Sequence, residues 1–216
     1  MAEPPRRAGR PQQPTQARET LIHQARALFV SKPYAQVSLR MVAKNAGVNS
    51  ALIHYYFTDK AGLFEAVIRE TIAPMLSNIE RLLAQQSPDS FYQLMEIYYQ
   101  EMGKVPDFPR LIFQTLYGAN HETPRQLLDG IFGDITSLIE RLFAHIADNH
   151  LLQPDIDSRL ARISYLSLMV FPFLAPPAFY QMHHIELSED FLKRLYQHNL
   201  HVIRHGFLQT ESKCQE

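Results

Sequence analysis

The chain has 216 residues, 46% of them hydrophobic, and a formal net charge of −1 at neutral pH. That length and apolar content mark a globular protein of one small and one larger domain, and exclude a low-hydrophobicity disordered chain. The charge is unevenly spread: residues 1–60 hold nine Lys/Arg against three Asp/Glu, and the remainder holds 12 against 19.

In chain order, residues 1–14 are rich in Pro, Gln and Arg and almost free of apolar side chains, which predicts a disordered basic arm. From Thr15 to Ser31, Leu21, Ile22, Ala25, Leu28 and Phe29 recur at helical spacing, and Pro33 stops the pattern. Ser38 is a good N-cap for a second helix, with Leu39, Val42 and Ala43 on its buried face. Gly47 stands where that helix must end. Val48 anchors the turn, and Asn49 is the N-cap of a third helix, Ser50–Phe57. Asp59 opens a long helix from Lys60 to about Gln86, in which Pro74 predicts a kink.

Beyond it the spacing predicts helices over Ser90–Met102 and Phe108–Leu116. Thr123-Pro124 opens one running to about Asn149, Asp155 or Asp157 caps one ending at Phe171, and Ser188 caps the last, ending at Phe207. No segment alternates with period two. The fold class expected is all-α, with about nine helices. The domains expected are the arm at 1–14, a three-helix domain at 15–60 and a larger helical domain at 61–210.

Two short helices joined by a tight turn, on the basic end of an acidic body, are the layout of a helix-turn-helix DNA reader. Ser50, Ala51 and His54 share an outward face of the second helix and could meet base edges in a major groove. Arg40 could reach a base edge or the backbone. Tyr55 and Tyr56 could offer hydroxyls to phosphates, and Lys60 adds a cation at the next helix N-terminus.

The run AGVNSALIHYYFTDKAGLF resembles the signature of the tetracycline-repressor (TetR) family of bacterial one-component regulators. The resemblance is strong from about Thr15 to Ile68 and architectural beyond. Asn49-Ser50-Ala51-Leu52 and His54 depart from the residues commonest in that family. The resemblance implies base contacts at the Arg40, Ser50, Ala51 and His54 positions and phosphate contacts at Tyr55, Tyr56 and Lys60. Ser38 and Asn49 complete the DNA-binding set as capping residues. It also implies a near-palindromic double-stranded operator, a homodimer and release by a small-molecule effector, most often from a repressor.

In that family the last two helices of each protomer form the dimer as a four-helix bundle. Leu166, Val170, Leu192, Leu195, Tyr196, Leu200 and Ile203 are the interface residues this implies, on helices apolar over more than one face. The middle helices are rich in aromatic residues. Tyr98, Phe113, Tyr117 and Phe171 are the candidate effector contacts.

No Gly-rich phosphate loop, nucleophile elbow or HExxH motif is present, so neither an enzyme nor a cofactor is expected. His198, His201 and His205 lie on one helical stripe and leave a metal-responsive regulator open as an alternative. A helical partner-binding module is the other, though it leaves the basic end unexplained. The apolar run Leu168–Tyr180 is interrupted by Pro172, Pro176 and Pro177 and is too short to span a bilayer. With no apolar leader visible and a single cysteine, Cys214, the expected location is the reducing cytoplasm.

Overall fold

The computed structural model describes residues 14–85, 89–118, 122–148 and 152–208. The expected arm, apart from Pro14, and Cys214 lie outside them. Ten α-helices follow one another among the described residues: α1 (Pro14–Ser31), α2 (Leu39–Ala46), α3 (Ala51–Phe57), α4 (Lys60–Gln85), α5 (Ser90–Lys104), α6 (Phe108–Leu116), α7 (Thr123–Asp148), α8 (Ser158–Leu174), α9 (Pro177–Met182) and α10 (Glu189–Gly206). A 3₁₀ turn, Tyr34–Gln36, follows α1. The only β pairing among them is a single antiparallel bridge between Leu152 and Leu208. No described helix is long and apolar enough to cross a membrane. The chain divides into two compact units, the first ending at Ile68 and the second beginning at Arg69, so α4 starts in one and ends in the other.

Local chemistry sets the ends of these helices. Ser38 Oγ accepts the Met41 amide at 3.2 Å, Asp157 accepts from Arg159 at 2.7 Å and Ser188 Oγ accepts from Phe191 at 3.2 Å. Gly47 sits at φ +67° and closes α2 with two reversed bonds, Gly47 N to Lys44 O at 3.2 Å and Val48 N to Ala43 O at 3.0 Å. That pair of bonds requires a left-handed residue, which glycine supplies without a Cβ clash.

The core of the first unit is one apolar cluster. Leu21, Ala25 and Phe29 of α1, Val42 of α2, Ile53 of α3, and Leu63, Phe64, Val67 and Ile68 of α4 are all buried. Phe29 meets Phe64 edge-to-face at 5.0 Å. Each of these Val, Leu, Ile and Phe side chains contributes about 1.5–3 kcal/mol of burial.

In the second unit, Phe91, Phe143 and Tyr165 interlock with ring centroids 4.0–5.5 Å apart. Tyr165 is fully buried and donates its hydroxyl to the Phe91 carbonyl at 2.8 Å.

Helix α8 runs three residues past the expected end at Phe171, straight through Pro172. A proline there supplies no N–H to the carbonyl of Leu168, four residues earlier. Two side chains replace the missing donor: Tyr99 Oη donates to Leu168 O at 2.9 Å and Asn199 Nδ2 at 3.1 Å. Asn199 Nδ2 also donates to Tyr99 Oη at 2.9 Å. Pro176 withholds a donor from the Pro172 carbonyl in the same way, and the Tyr180 hydroxyl takes its place. Pro177 then opens α9, a short helix not expected from the sequence, at the position where a missing N–H costs nothing.

Candidate DNA-reading surface and apolar cavity

Helix α3 presents its outward face from a tightly held frame. Asn49 Oδ1 accepts the Ala51 amide at 2.9 Å, so Asn49 caps the helix and Ser50 already has helical dihedrals. Ser50, Ala51, His54 and Tyr55 are exposed, Tyr55 to 78%. Ile53 and Phe57 point the other way, into the core. Small and polar groups therefore stand outward between apolar anchors, an arrangement that can approach base edges closely. Arg40, on α2, is exposed, as is Ser38. Tyr56 is half-buried, its ring 4.9 Å from Tyr55 and 6.0 Å from Phe57.

The joint between α3 and α4 is unusually tight. Thr58 has φ 66° and ψ −57°, and the Asp59 amide folds back onto the Phe57 carbonyl at 2.7 Å. That is a γ-turn of the rare positive-φ kind. Asp59 Oδ1 accepts the Gly62 amide at 2.8 Å and caps α4. A Cβ on Gly62 would lie 2.2 Å from the Phe57 carbonyl oxygen, so only glycine fits there. His54 Nδ1 lies 2.8 Å from the Thr58 carbonyl oxygen and donates to it.

Lys60 is half-buried at the start of α4, its Nζ 4.1 Å from the centre of the Tyr34 ring. Burial pulls the Lys60 ammonium below its usual pKa. The electron-rich face of Tyr34 holds the cation in place. Tyr34, Thr58 and Gly62 complete this surface, and sequence reasoning missed all three. A glycine in the first turn of a capped helix was the only signal available.

In the second unit an apolar cavity of about 1100 Å³ opens among α4 to α8 and reaches α10. Ile72, Met75 and Ile79 of α4, Leu94, Tyr98 and Met102 of α5, and Ile135 and Ile139 of α7 are among its walls. Among the described residues no Lys, Arg, His, Asp or Glu lines it. Its polar groups are hydroxyls and one carboxamide, from Tyr98, Thr136, Ser164, Ser167, Tyr180 and Asn199. Tyr98 is only 8% exposed and lines this cavity. Burial, and secondarily Tyr99, raises the Tyr98 pKa, so the phenol stays neutral and keeps its proton to donate.

Of the candidate effector contacts, Tyr98, Phe113 and Phe171 line the cavity. Tyr117 does not: it follows the last residue of α6 and is 87% exposed. Of the candidate interface residues, Leu166, Val170, Leu195 and Leu200 are half-buried. Leu192 and Ile203 are taken up by the chain's own core. Tyr196 packs its ring 6.1 Å from Tyr99 on α5. The outward apolar residues of α8 are Leu160, Ile163 and Phe171, on one helical stripe with Ser164 and Ser167.

His201 and His205 place their rings 4.1 Å apart, and His205 Nδ1 donates to the His201 carbonyl. Among the described residues no group of three His, Cys, Asp or Glu side chains is placed to hold a metal ion.

The chain thus combines a capped two-helix unit with a small, polar outward face and a large apolar cavity. Residues 21–67 match the family described as bacterial regulatory proteins, tetR family. YttP of Bacillus subtilis (strain 168), described as a probable HTH-type transcriptional regulator, is 24% identical over 197 residues, which is 83% of this chain and 87% of YttP. Among solved structures, NalD, the secondary repressor of the MexAB-OprM multidrug efflux pump in Pseudomonas aeruginosa, superposes with a TM-score of 0.66 at 19% identity over 91% of this chain and 99% of NalD. SmeT, solved as a complex with triclosan, superposes with a TM-score of 0.63 at 17% identity over 90% of this chain and 93% of SmeT. Residues 21–67 thus carry the DNA-binding region of the tetR family, and the chain is similar over most of its length to an HTH-type transcriptional regulator.

Proposed function

We propose that this chain is a cytoplasmic homodimeric repressor, released from a near-palindromic operator by a large, uncharged and mainly apolar small molecule. The observation that carries this reading is the cavity of about 1100 Å³ whose described lining holds no charged side chain and includes the Tyr98 phenol. An ionised effector would be stripped of water there with no opposite charge to meet it. An apolar one gains from burial and needs a single acceptor for the Tyr98 hydroxyl. Phe113 and Phe171 are the further contacts proposed, and Tyr117 is left out. The complex of SmeT with triclosan supports a ligand of this class.

Residues 15–60 are assigned DNA reading, and residues 61–210 ligand binding and dimerisation. Arg40, Ser50, Ala51 and His54 meet bases, while Tyr55, Tyr56 and Lys60 meet phosphates. Ser38 and Asn49 hold the two helices in register. The dimer forms through α8 and α10, with Leu166, Val170, Leu195, Tyr196 and Leu200 at or beside the exposed stripe of Leu160, Ile163 and Phe171. Two protomers supply two recognition helices and hence two half-sites. The effector favours one spacing of those helices over another, a population shift in which α4 is the covalent route and Pro74 the pivot.

The test is fluorescence anisotropy on the DNA upstream of the chain's own gene, with excess random competitor and then with triclosan added. Saturable binding at two protomers per site, or a multiple of two, reversed by the apolar compound, is the expected result. Binding abolished by random competitor would defeat the reading.

A further inference from the structure

We infer that His54 reads the operator as a hydrogen-bond acceptor, through a bare Nε2, and therefore selects adenine or cytosine at one position in each half-site, with Thr58 as the positioning residue. The inference rests on the proposal that the outward face of α3 meets operator bases.

A backbone carbonyl can only accept a hydrogen bond. The 2.8 Å approach of His54 Nδ1 to the Thr58 carbonyl oxygen therefore places the proton on Nδ1. A neutral imidazole carries one N–H, so Nε2 is left with its lone pair. Nδ1 is turned back toward the end of α3, and the ring is exposed, which leaves Nε2 as the nitrogen that can meet DNA.

The carbonyl that imposes this tautomer is itself fixed. Thr58 N donates to His54 O at 3.2 Å, and Asp59 N donates to Phe57 O at 2.7 Å across the positive-φ turn. Gly62 N then holds Asp59 at 2.8 Å. Rotating the Thr58 carbonyl away from His54 would disturb this whole set of bonds.

The major groove then decides the base. Adenine offers the N6 amino group and cytosine the N4 amino group as donors. Guanine presents only the N7 and O6 acceptors, and thymine the O4 acceptor and a methyl group. A bare Nε2 pairs with the first two and meets lone pairs on the others.

The test starts from duplexes enriched out of a randomised pool by the full-length protein. Every base position is then substituted, and binding is measured by anisotropy for the wild type, His54→Ala and His54→Arg, each checked for native helicity. The expected result is one position per half-site where adenine or cytosine is preferred by roughly fivefold to a hundredfold. His54→Ala flattens that position and leaves the others unchanged. Purine in place of adenine, or a cytosine analogue lacking the N4 amine, loses as much as a full mismatch. His54→Arg, which carries donors only, moves the preference to guanine. A guanine preference in the wild type at the position His54→Ala flattens would overturn the inference. So would indifference to loss of the amino group, or unchanged preferences in His54→Ala. A pool that yields no enriched sequence would remove the operator-reading role as well, which separates the two failures.

Discussion

The proline at position 172 makes a quantitative prediction possible. Leu168 O lacks a helical donor and is held by Tyr99 Oη at 2.9 Å and Asn199 Nδ2 at 3.1 Å. Asn199 is 3% exposed, so water does not substitute for it readily. Replacing the pair by Tyr99→Phe and Asn199→Leu keeps the shape and leaves the half-buried carbonyl without either donor. An orphaned buried acceptor costs about 1–3 kcal/mol. Pro172→Ala restores an N–H aimed at that same carbonyl. In the Pro172→Ala background the double substitution should therefore cost less, by about 1–3 kcal/mol. The individual effect of Pro172→Ala does not matter, because the cycle subtracts it. The assay is urea unfolding followed by far-UV circular dichroism, at one fixed protein concentration because association stabilises the folded state. A coupling below about 0.5 kcal/mol would show that the two side chains are not standing in for the missing amide.

Three further outcomes are expected. Gly62→Ala forces a Cβ to within 2.2 Å of the Phe57 carbonyl oxygen, backbone against backbone, and should cost about 1–3 kcal/mol and displace α3; an unchanged melting temperature and operator affinity would contradict this. Lys60→Ala should weaken specific and random DNA alike and lower the slope of log K against log salt by about one, which a salt titration reads directly. Stability should fall at high pH: the buried phenols of Tyr99 and Tyr165 are raised by burial, and Tyr196 is pushed up to about 12 by burial and by Glu96. A raised folded pKa leaves this contribution complete below about pH 10, where unfolded tyrosines begin to ionise, and removes it as the pH climbs toward 12. Urea midpoints flat from about pH 9 to 11 would refute it.

Features set within a few residues were readable from the sequence. Ser38, Asn49, Asp59, Asp157 and Ser188 act as caps because a short oxygen side chain reaches an amide two or three residues on, whatever surrounds it. Gly47 ends α2 for an equally local reason. Phe108–Leu116 has the expected bounds because Pro109 near its start and a loop at its end mark both termini. What could not be read depends on distant partners. Nothing near Pro172 shows that Tyr99 and Asn199 will repair α8, so the helix was expected to end at Phe171. Leu192 and Ile203 looked available to a partner chain because spacing reveals an apolar face without saying which neighbour covers it. Tyr117 belonged to an aromatic-rich segment, yet it falls past the end of its helix and turns to solvent.

The turn at Thr58 also bears on how such regulators can be recombined. The carbonyl of Phe57, the amide of Asp59 and the bare Cα of Gly62 form one interlocked unit that crosses from α3 into α4. A copy of α3 ending at Phe57 would lack the Thr58 carbonyl that holds the His54 ring. The segment from Asn49 to Gly62 keeps both the capping carboxamide and the glycine that gives the turn room.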